Sequence, residues 1–136
     1  MKIQQISGFA VITPDPDQSA SLFRDKLGLP FQSQNDYLYV DKMPGCNHFG
    51  IWPLAHAAQS CFGTDRWPEN IPVPTSTIEY ELDSPEAVEE AVKELKAQGQ
   101  EFVHDPIKEP WGQTTARFMS PENVLIGLSY APWLHQ

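Results

Sequence analysis

The feature that most limits the possible folds of this chain is an internal duplication. Pro16 and Pro85 each follow a side chain that can cap a helix, and proline at the first helical position sacrifices no hydrogen bond. Each predicted helix ends at a glycine suited to the left-handed stop, Gly28 or Gly99. The two prolines lie 69 positions apart and the two glycines 71 positions apart. These independent landmarks therefore predict two copies of one structural unit.

Each predicted helix is preceded by one strand and followed by three short ones. Residues 7–13 and 76–82 alternate in the manner of strands that have one face toward a helix. The strands predicted after the helices cover residues 31–33, 37–40 and 48–52 in the first copy and residues 101–104, 114–119 and 125–130 in the second. The chain is therefore predicted to be α+β, with two βαβββ modules.

The length of 136 residues predicts a single domain. We assign module one to about residues 1–53, a connecting loop to about residues 53–75, and module two to about residues 76–131. The connecting segment contains four prolines together with large aromatic residues, a composition unlike that of a plain flexible linker. We therefore expect it to be a loop that covers a cavity or a partner subunit.

The first strand of module two separates apolar from polar side chains. Thr77, Glu79 and Glu81 alternate on the face opposite the predicted helix, and Gly8 and Ala10 lie on the corresponding face of module one. Because the helices cover the other side of the sheet, this polar face is left to line a pocket.

Charge and hydropathy exclude several classes of partner. The formal net charge is −9 and no Lys/Arg cluster is present, so the chain is expected to repel nucleic acid. No apolar run approaches membrane-spanning length, so no membrane partner is expected. The N-terminus shows no apolar signal region, and Cys46 and Cys61 form no paired motif. These features predict a cytoplasmic protein with reduced thiols.

Several motifs, taken in order, resemble those of the glyoxalase/bleomycin resistance protein/dioxygenase (vicinal oxygen chelate) superfamily. The first half carries Thr-Pro-Asp at residues 13–15 and LFRDKLGL at residues 22–29. The second half carries Pro-Trp-Gly at residues 110–112, Ala-Arg-Phe at residues 116–118 and Ser-Pro-Glu-Asn at residues 120–123. The resemblance spans nearly the whole chain. It implies paired βαβββ modules, curved mixed sheets around a cleft, and a homodimer.

The resemblance breaks at the metal-ligand positions. Metal-dependent members of the superfamily carry His, His and Glu or Gln in the cleft. Here those positions correspond to Gly8 (or at best Ser7), Thr77 and Gly127, which are poor ligands for a divalent ion. In this respect the chain is similar to the bleomycin-resistance members, which bind and sequester a compound. We therefore expect no metal and no cofactor.

The favoured interpretation is a metal-independent protein that binds a small molecule, such as an antibiotic or an aromatic metabolite. The candidate ligand-binding residues are Trp111, Trp52, Trp67, His48 and Arg117. Trp111 is the strongest of them, because it precedes a cleft strand and is followed by a glycine that allows close approach. Core packing or a dimer seam remains the alternative role for the tryptophans, and an edge-strand position the alternative for His48.

A second interpretation is an enzyme of the same fold, such as a lyase, isomerase or dioxygenase. It would use Glu79 or Glu81 as a general base, or a non-standard metal site such as His48 with Glu79. An ion pair between a carboxylate and Arg117 is the structural alternative. A third interpretation is a partner-binding protein with a vestigial cleft. The identity of the ligand, and whether the modules pair within one chain or across a dimer, stay open at this point.

Overall fold

The computed structural model describes all 136 residues and shows a mixed α+β chain with one curved, unclosed sheet of eight strands. The strands are β1 (Gln5–Thr13), β2 (Gln32–Gln34), β3 (Tyr37–Met43), β4 (Cys46–Pro53), β5 (Ser76–Glu81), β6 (His104–Lys108), β7 (Thr114–Met119) and β8 (Leu125–Tyr130). The helices are α1 (Pro16–Ala20), α2 (Leu54–Phe62) and α3 (Pro85–Ala97). The predicted α+β class is confirmed.

The two halves of the chain pair with each other through their first strands. The strand order is β2-β3-β4-β1-β5-β8-β7-β6, with β1 antiparallel to β5 and Phe9 opposite Ile78. Within each half the first strand lies parallel to the last, β1 with β4 and β5 with β8. Pairing therefore occurs within one chain, a point that the sequence left open.

Helix α3 packs on the face of the sheet that alternate apolar residues of the strands form. Ser84 caps the helix by accepting a hydrogen bond from the backbone N–H of Ala87, and Pro85 occupies the first turn. The apolar residues Val88, Ala91 and Val92 recur at helical spacing along α3 and pack against Ala116 of β7 and Leu128 of β8. The helix thereby covers one side of the sheet, and we call the opposite side the cleft face.

The helix predicted after Pro16 changes its geometry halfway along. After α1 the chain continues over Ser21–Lys26 as a π-helix, with the Leu27 N–H bonded to the Leu22 carbonyl five residues back. The wider turn rotates Leu27 away from the side of buried Ala20, and Leu27 is 60% exposed. Helical spacing of Ala20, Phe23 and Leu27 predicts one apolar stripe on this helix, and that prediction is wrong at Leu27.

The connecting segment is not an irregular loop throughout, which corrects the prediction for residues 53–75. It begins with α2, whose small residues Ala57 and Cys61 pack against Ile12 of β1 and Leu125 of β8 on the cleft face. Gly63 ends the helix in the left-handed conformation, with φ of 75°. The prolines that suggested a loop lie before and after this helix rather than inside it.

The second strand of module two is displaced from its predicted position. It was predicted over residues 101–104, and β6 instead covers His104–Lys108 at the edge of the sheet. Pro106 lies inside β6, a position that an edge strand tolerates because no neighbour needs its missing N–H. No helix is long and apolar enough to cross a membrane.

Candidate functional site

The cleft face has two halves of different character. In both, residues that alternate with the helix-facing ones point away from α3. The module-one half is formed by Gly8, Ala10, Tyr37, Tyr39, Asp41, His48, Gly50 and Trp52, and the module-two half by Thr77, Glu79, Glu81, Thr115, Arg117, Gly127 and Ser129.

Arg117 is the centre of the module-two half. Its side chain is 1% exposed, and its Nη2 donates to Glu79 Oε2 at 3.0 Å. Its Nη1 lies 3.1 Å from Glu109 Oε1 and 2.8 Å from Ser60 Oγ of α2. The guanidinium also lies 5.2 Å from the ring centre of Trp52. The ion pair between a cleft carboxylate and Arg117, which the sequence offered as an alternative, is therefore present.

The same network reaches the rim of the cleft through one glutamine. Gln113 Nε2 donates to Glu79 Oε1 at 3.1 Å, and its own Oε1 accepts from Trp111 Nε1 at 2.8 Å. Trp111 is 52% exposed, whereas the Glu79 side chain is 18% exposed and that of Glu109 is 2% exposed. Glu79 is thus the carboxylate of this network that solvent can reach.

Burial sets the protonation states around Arg117. Burial raises the pKa of the Cys61 thiol to about 11, so the thiol stays protonated and unreactive. Burial, followed by the charge of Arg117, lowers the pKa of His104. A neutral His104 can accept a hydrogen bond from Arg117, whose Nη1 lies 3.2 Å from His104 Nε2. The network is therefore suited to stabilising the fold.

The module-one half presents a patch of three rings, which we call the aromatic patch: Tyr37, Tyr39 and His48. Their centroids lie 5.6 to 5.7 Å apart, with interplanar angles of 18°, 27° and 19°. Because the planes are nearly parallel, the rings turn their faces in a similar direction. Each of the three is half-buried, so part of the patch meets solvent.

A chain of hydrogen bonds runs through the aromatic patch. Asp41 Oδ1 lies 2.7 Å from His48 Nδ1, and His48 Nε2 lies 2.6 Å from the Tyr37 hydroxyl. Burial, with further contributions from Glu79 and Asp41, raises the pKa of Tyr37 above its ordinary value. Tyr37 is therefore a neutral phenol at neutral pH.

Glycines in the strands below leave room for these side chains. A Cβ atom on Gly50 would overlap the Tyr37 hydroxyl, and one on Gly8 would lie 3.5 Å from the His48 ring. In module two, a Cβ on Gly127 would approach Glu79 Cγ to 2.9 Å. The chain thus places a large polar side chain above each small residue.

This arrangement does not suit a divalent metal at the superfamily's usual positions. Gly8 and Gly127 offer no ligand atom, and the space above them is taken by His48 and Glu79. Both nitrogens of His48 and both oxygens of Glu79 already have hydrogen-bond partners in the protein. No group of three or more His, Cys, Asp and Glu side chains is placed to hold a metal ion. The fold therefore supplies a cleft whose residues do not match the metal-binding donor set.

Two of the residues predicted from sequence, Glu81 and Trp67, lie away from the hydrogen-bond network of Arg117. Glu81 is fully buried, and its Oε2 accepts from the Ala131 N–H and from His135, which fastens the C-terminal 3₁₀ turn. Trp67 packs edge to face on Phe62 at 4.9 Å. Trp67 therefore packs beside α2, whereas Glu79, Arg117 and Trp52 are brought together.

Sequence reasoning missed several members of the site, namely Tyr37, Tyr39, Asp41, Glu109 and Gln113. Tyr37, Tyr39 and Asp41 alternate along β3, a spacing that by itself would have placed all three on one face. Glu109 and Gln113 flank a tight turn, and no pattern along the sequence links them to Arg117.

Comparison with known proteins adds a family and a set of similar folds. A family model described as the Glyoxalase/Bleomycin resistance protein/Dioxygenase superfamily matches residues 3–128. Comparison with curated proteins gave no match.

Similar solved structures include an NAD-dependent benzaldehyde dehydrogenase from Legionella pneumophila, with 14% identity and a TM-score of 0.63 over 90% of this chain and 96% of that one. A glyoxalase/bleomycin resistance protein/dioxygenase superfamily member from Vibrio splendidus 12B01 has 13% identity and a TM-score of 0.59 over 93% and 98%. A Streptomyces coelicolor methylmalonyl-CoA epimerase in complex with 2-nitronate-propionyl-CoA has 11% identity and a TM-score of 0.54 over 96% and 99%. At these identities the likeness is one of fold.

Proposed function

This chain belongs to the glyoxalase/bleomycin resistance protein/dioxygenase superfamily, and we propose that it binds a small planar compound without using a metal. The binding surface is the aromatic patch of Tyr37, Tyr39 and His48. The observation that carries the proposal is that these three rings are half-buried, nearly parallel and mutually in contact. Flat rings offer a ligand large contact area at a small cost in side-chain entropy.

The surrounding charges favour a neutral or cationic ligand. Asp41 borders the patch, Glu79 acts on Tyr37 electrostatically, and the whole chain carries a formal net charge of −9. A cation above tyrosine faces gains a further electrostatic attraction. Metal independence is supported by Gly8 and Gly127, because a glycine has no side chain that could bind a divalent ion.

The proposal is tested with a matched pair of planar dyes in the presence of a chelator. Calorimetry with cationic 9-aminoacridine should give saturable binding, and anionic anthracene-9-carboxylate should bind at least about tenfold more weakly. Tyr39→Leu should weaken 9-aminoacridine binding about tenfold, because it removes one ring of the patch.

Tyr80→Leu is the matched control, since Tyr80 lies on the opposite face of the sheet. Binding that appears only after a divalent metal is added would contradict metal independence. Equal losses in the two tyrosine variants would contradict the location.

We further propose that the protein is a homodimer that covers an apolar groove. The groove has a volume of about 720 Å³ and lies on the helix side of the β1–β5 seam, where Ile6, Phe9, Met43 and Ile78 line it. Ile6 is 50% exposed, and a two-fold contact across this seam would bury it in both copies. Sedimentation equilibrium should give a dimer at micromolar concentration and a monomer for Ile6→Glu. A monomeric native protein would contradict the proposal.

A further inference from the structure

The hydrogen-bond chain in the aromatic patch can accept a proton, a capacity that the binding of a planar ring does not require. We propose that Tyr37, His48 and Asp41 form a proton-accepting site for an acidic hydroxyl group on the ligand, of the phenol or enol class. This inference rests on the proposed function and names the ligand chemistry of the same surface.

The direction of the chain follows from its donors and acceptors. The Asp41 carboxylate only accepts, so His48 Nδ1 carries the proton that joins them at 2.7 Å. The other nitrogen of a neutral imidazole is then an acceptor, and the Tyr37 hydroxyl donates to it at 2.6 Å.

The Tyr37 oxygen consequently has spare accepting capacity. Its proton is directed at His48, and it makes no other hydrogen bond with the protein. A ligand hydroxyl lying on the aromatic patch can therefore donate to this oxygen. Glu79 and Asp41 are both acceptors when ionised, so neither supplies a competing donor to Tyr37.

The charges around Tyr37 decide where the transferred proton rests. Burial and the nearby carboxylates keep Tyr37 from holding a negative charge, so Tyr37 passes a proton on rather than becoming a phenolate. His48 can hold that proton, because its other nitrogen already faces Asp41. Tyr37 is the group that touches the ligand, and Asp41 is a positioning residue.

The step balances without an added reagent. The ligand O–H bond breaks and its proton forms a new bond to the Tyr37 oxygen, while the former Tyr37 proton moves to His48 Nε2. The ligand keeps the electron pair as an oxyanion, and the imidazolium pairs with Asp41. The total charge of the complex is unchanged, so the acidic surroundings of the cleft do not oppose the step as they would oppose binding of a preformed anion.

The test uses 4-nitrophenol and its methyl ether 4-nitroanisole, which differ only in the acidic hydroxyl. The measurement is made at about pH 7, above the usual pKa of imidazole, so that His48 Nε2 starts as a proton acceptor. Bound to the native protein, 4-nitrophenol should show the yellow nitrophenolate band and bind about tenfold tighter than 4-nitroanisole, as a charge-assisted hydrogen bond implies. The yellow band is read as the increase over free 4-nitrophenol at the same pH. A chelator is present throughout.

Three variants separate the proton site from the aromatic surface. Tyr37→Phe should abolish the yellow band and bring 4-nitrophenol to the affinity of 4-nitroanisole. Asp41→Asn should reduce the band and leave 4-nitroanisole binding unchanged, and its side chain is 48% exposed, so the variant should fold. Tyr130→Phe removes a hydroxyl on the helix side and should change neither readout. If Tyr37→Phe unfolds, Asp41→Asn decides.

Equal binding of both probes to the native protein without a yellow band would overturn the proton site and leave planar binding standing. A band that persists in Asp41→Asn at native strength would overturn the positioning role of Asp41. Failure of both probes and of the cationic dye to bind would overturn the proton site together with the proposed function.

Discussion

The two modules share one βαβββ order but differ in how much of their cleft face is left open. In module two, Arg117, Glu109 and Thr115 are buried, and Ser60 of α2 closes over them with hydrogen bonds. In module one, the aromatic patch remains half-exposed. A duplication alone would give two equivalent halves. Helix α2 occurs only once in the chain, so it covers one half and leaves the other open.

This difference separates two uses of polar side chains in a cleft. Charges under α2 are paired and largely removed from water, an arrangement in which breaking one partner is costly. Polar groups of the aromatic patch keep contact with solvent, so exchanging water for a ligand costs less. We therefore expect the module-two half to contribute stability and the module-one half to hold the proposed ligand.

The largest effect is expected from Arg117→Met. This change leaves Glu79 and Glu109 without their buried cation and should lower the free energy of unfolding by about 3–5 kcal/mol. His48→Gln on the other half should cost less than about 1 kcal/mol, because His48 is partly solvated. Urea unfolding near neutral pH compares them. Similar losses in both variants would break the distinction between the halves.

A smaller loss is expected from Gly50→Ala, which adds a methyl group where the Tyr37 hydroxyl lies. Overpacking should cost about 1–3 kcal/mol, and the displaced ring should also weaken dye binding. Gly8→Ala is the matched control, because its methyl group would make ordinary contact with His48 at 3.5 Å. Unchanged dye binding by Gly50→Ala would place the ligand away from Tyr37.

The buried network should also make stability depend on pH through His104. Its pKa is lowered in the folded protein, so the unfolded chain binds more protons on acidification. The stabilising contribution is complete above the ordinary pKa of histidine and is lost as the pH falls toward the folded value. The melting temperature should therefore fall below about pH 6.5, and His104→Asn should flatten that part of the curve. If the melting temperature of His104→Asn still falls as steeply below about pH 6.5, the pH dependence comes from other groups.

The smallest effect on stability is expected from Trp111→Ala. Trp111 is 52% exposed, so its removal should change the free energy of unfolding by no more than about 0.5 kcal/mol. We retain the prediction that Trp111 contacts the ligand and that this variant weakens dye binding about tenfold, or 1.4 kcal/mol. Calorimetry measures the change in dye affinity, and urea unfolding of the same samples measures the change in the free energy of unfolding. Native-like dye binding would confine the ligand to the aromatic patch.

Local patterns predicted the elements whose neighbours in sequence determine them. The bounds of β7 and β8 match the prediction, since each alternates without interruption, and α3 has both its cap and its apolar stripe. Helix α2 was missed because the flanking prolines suggested a loop, although its small residues Ala57 and Cys61 pack against Ile12 and Leu125.

The site was harder to predict because its members meet through the pairing of distant strands. Ser60, Glu79, Glu109 and Arg117 converge only after β8 pairs with both β5 and β7 and α2 turns back over the sheet. Similarly, Asp41 meets His48 because the register of β3 with β4 places them opposite each other. The alternation within one strand shows which residues share a face, but which residues of two strands lie opposite each other also depends on the turn between them.

Nuclear Overhauser effects between the protein and bound 9-aminoacridine would show whether the module-one half of the cleft face holds the dye without a metal. In chelator-treated protein, dye protons should show contacts to the rings of Tyr37, Tyr39 and His48. Contacts only to Phe62 and Trp67 beside α2, or contacts that require an added divalent metal, would contradict metal-free binding by the aromatic patch.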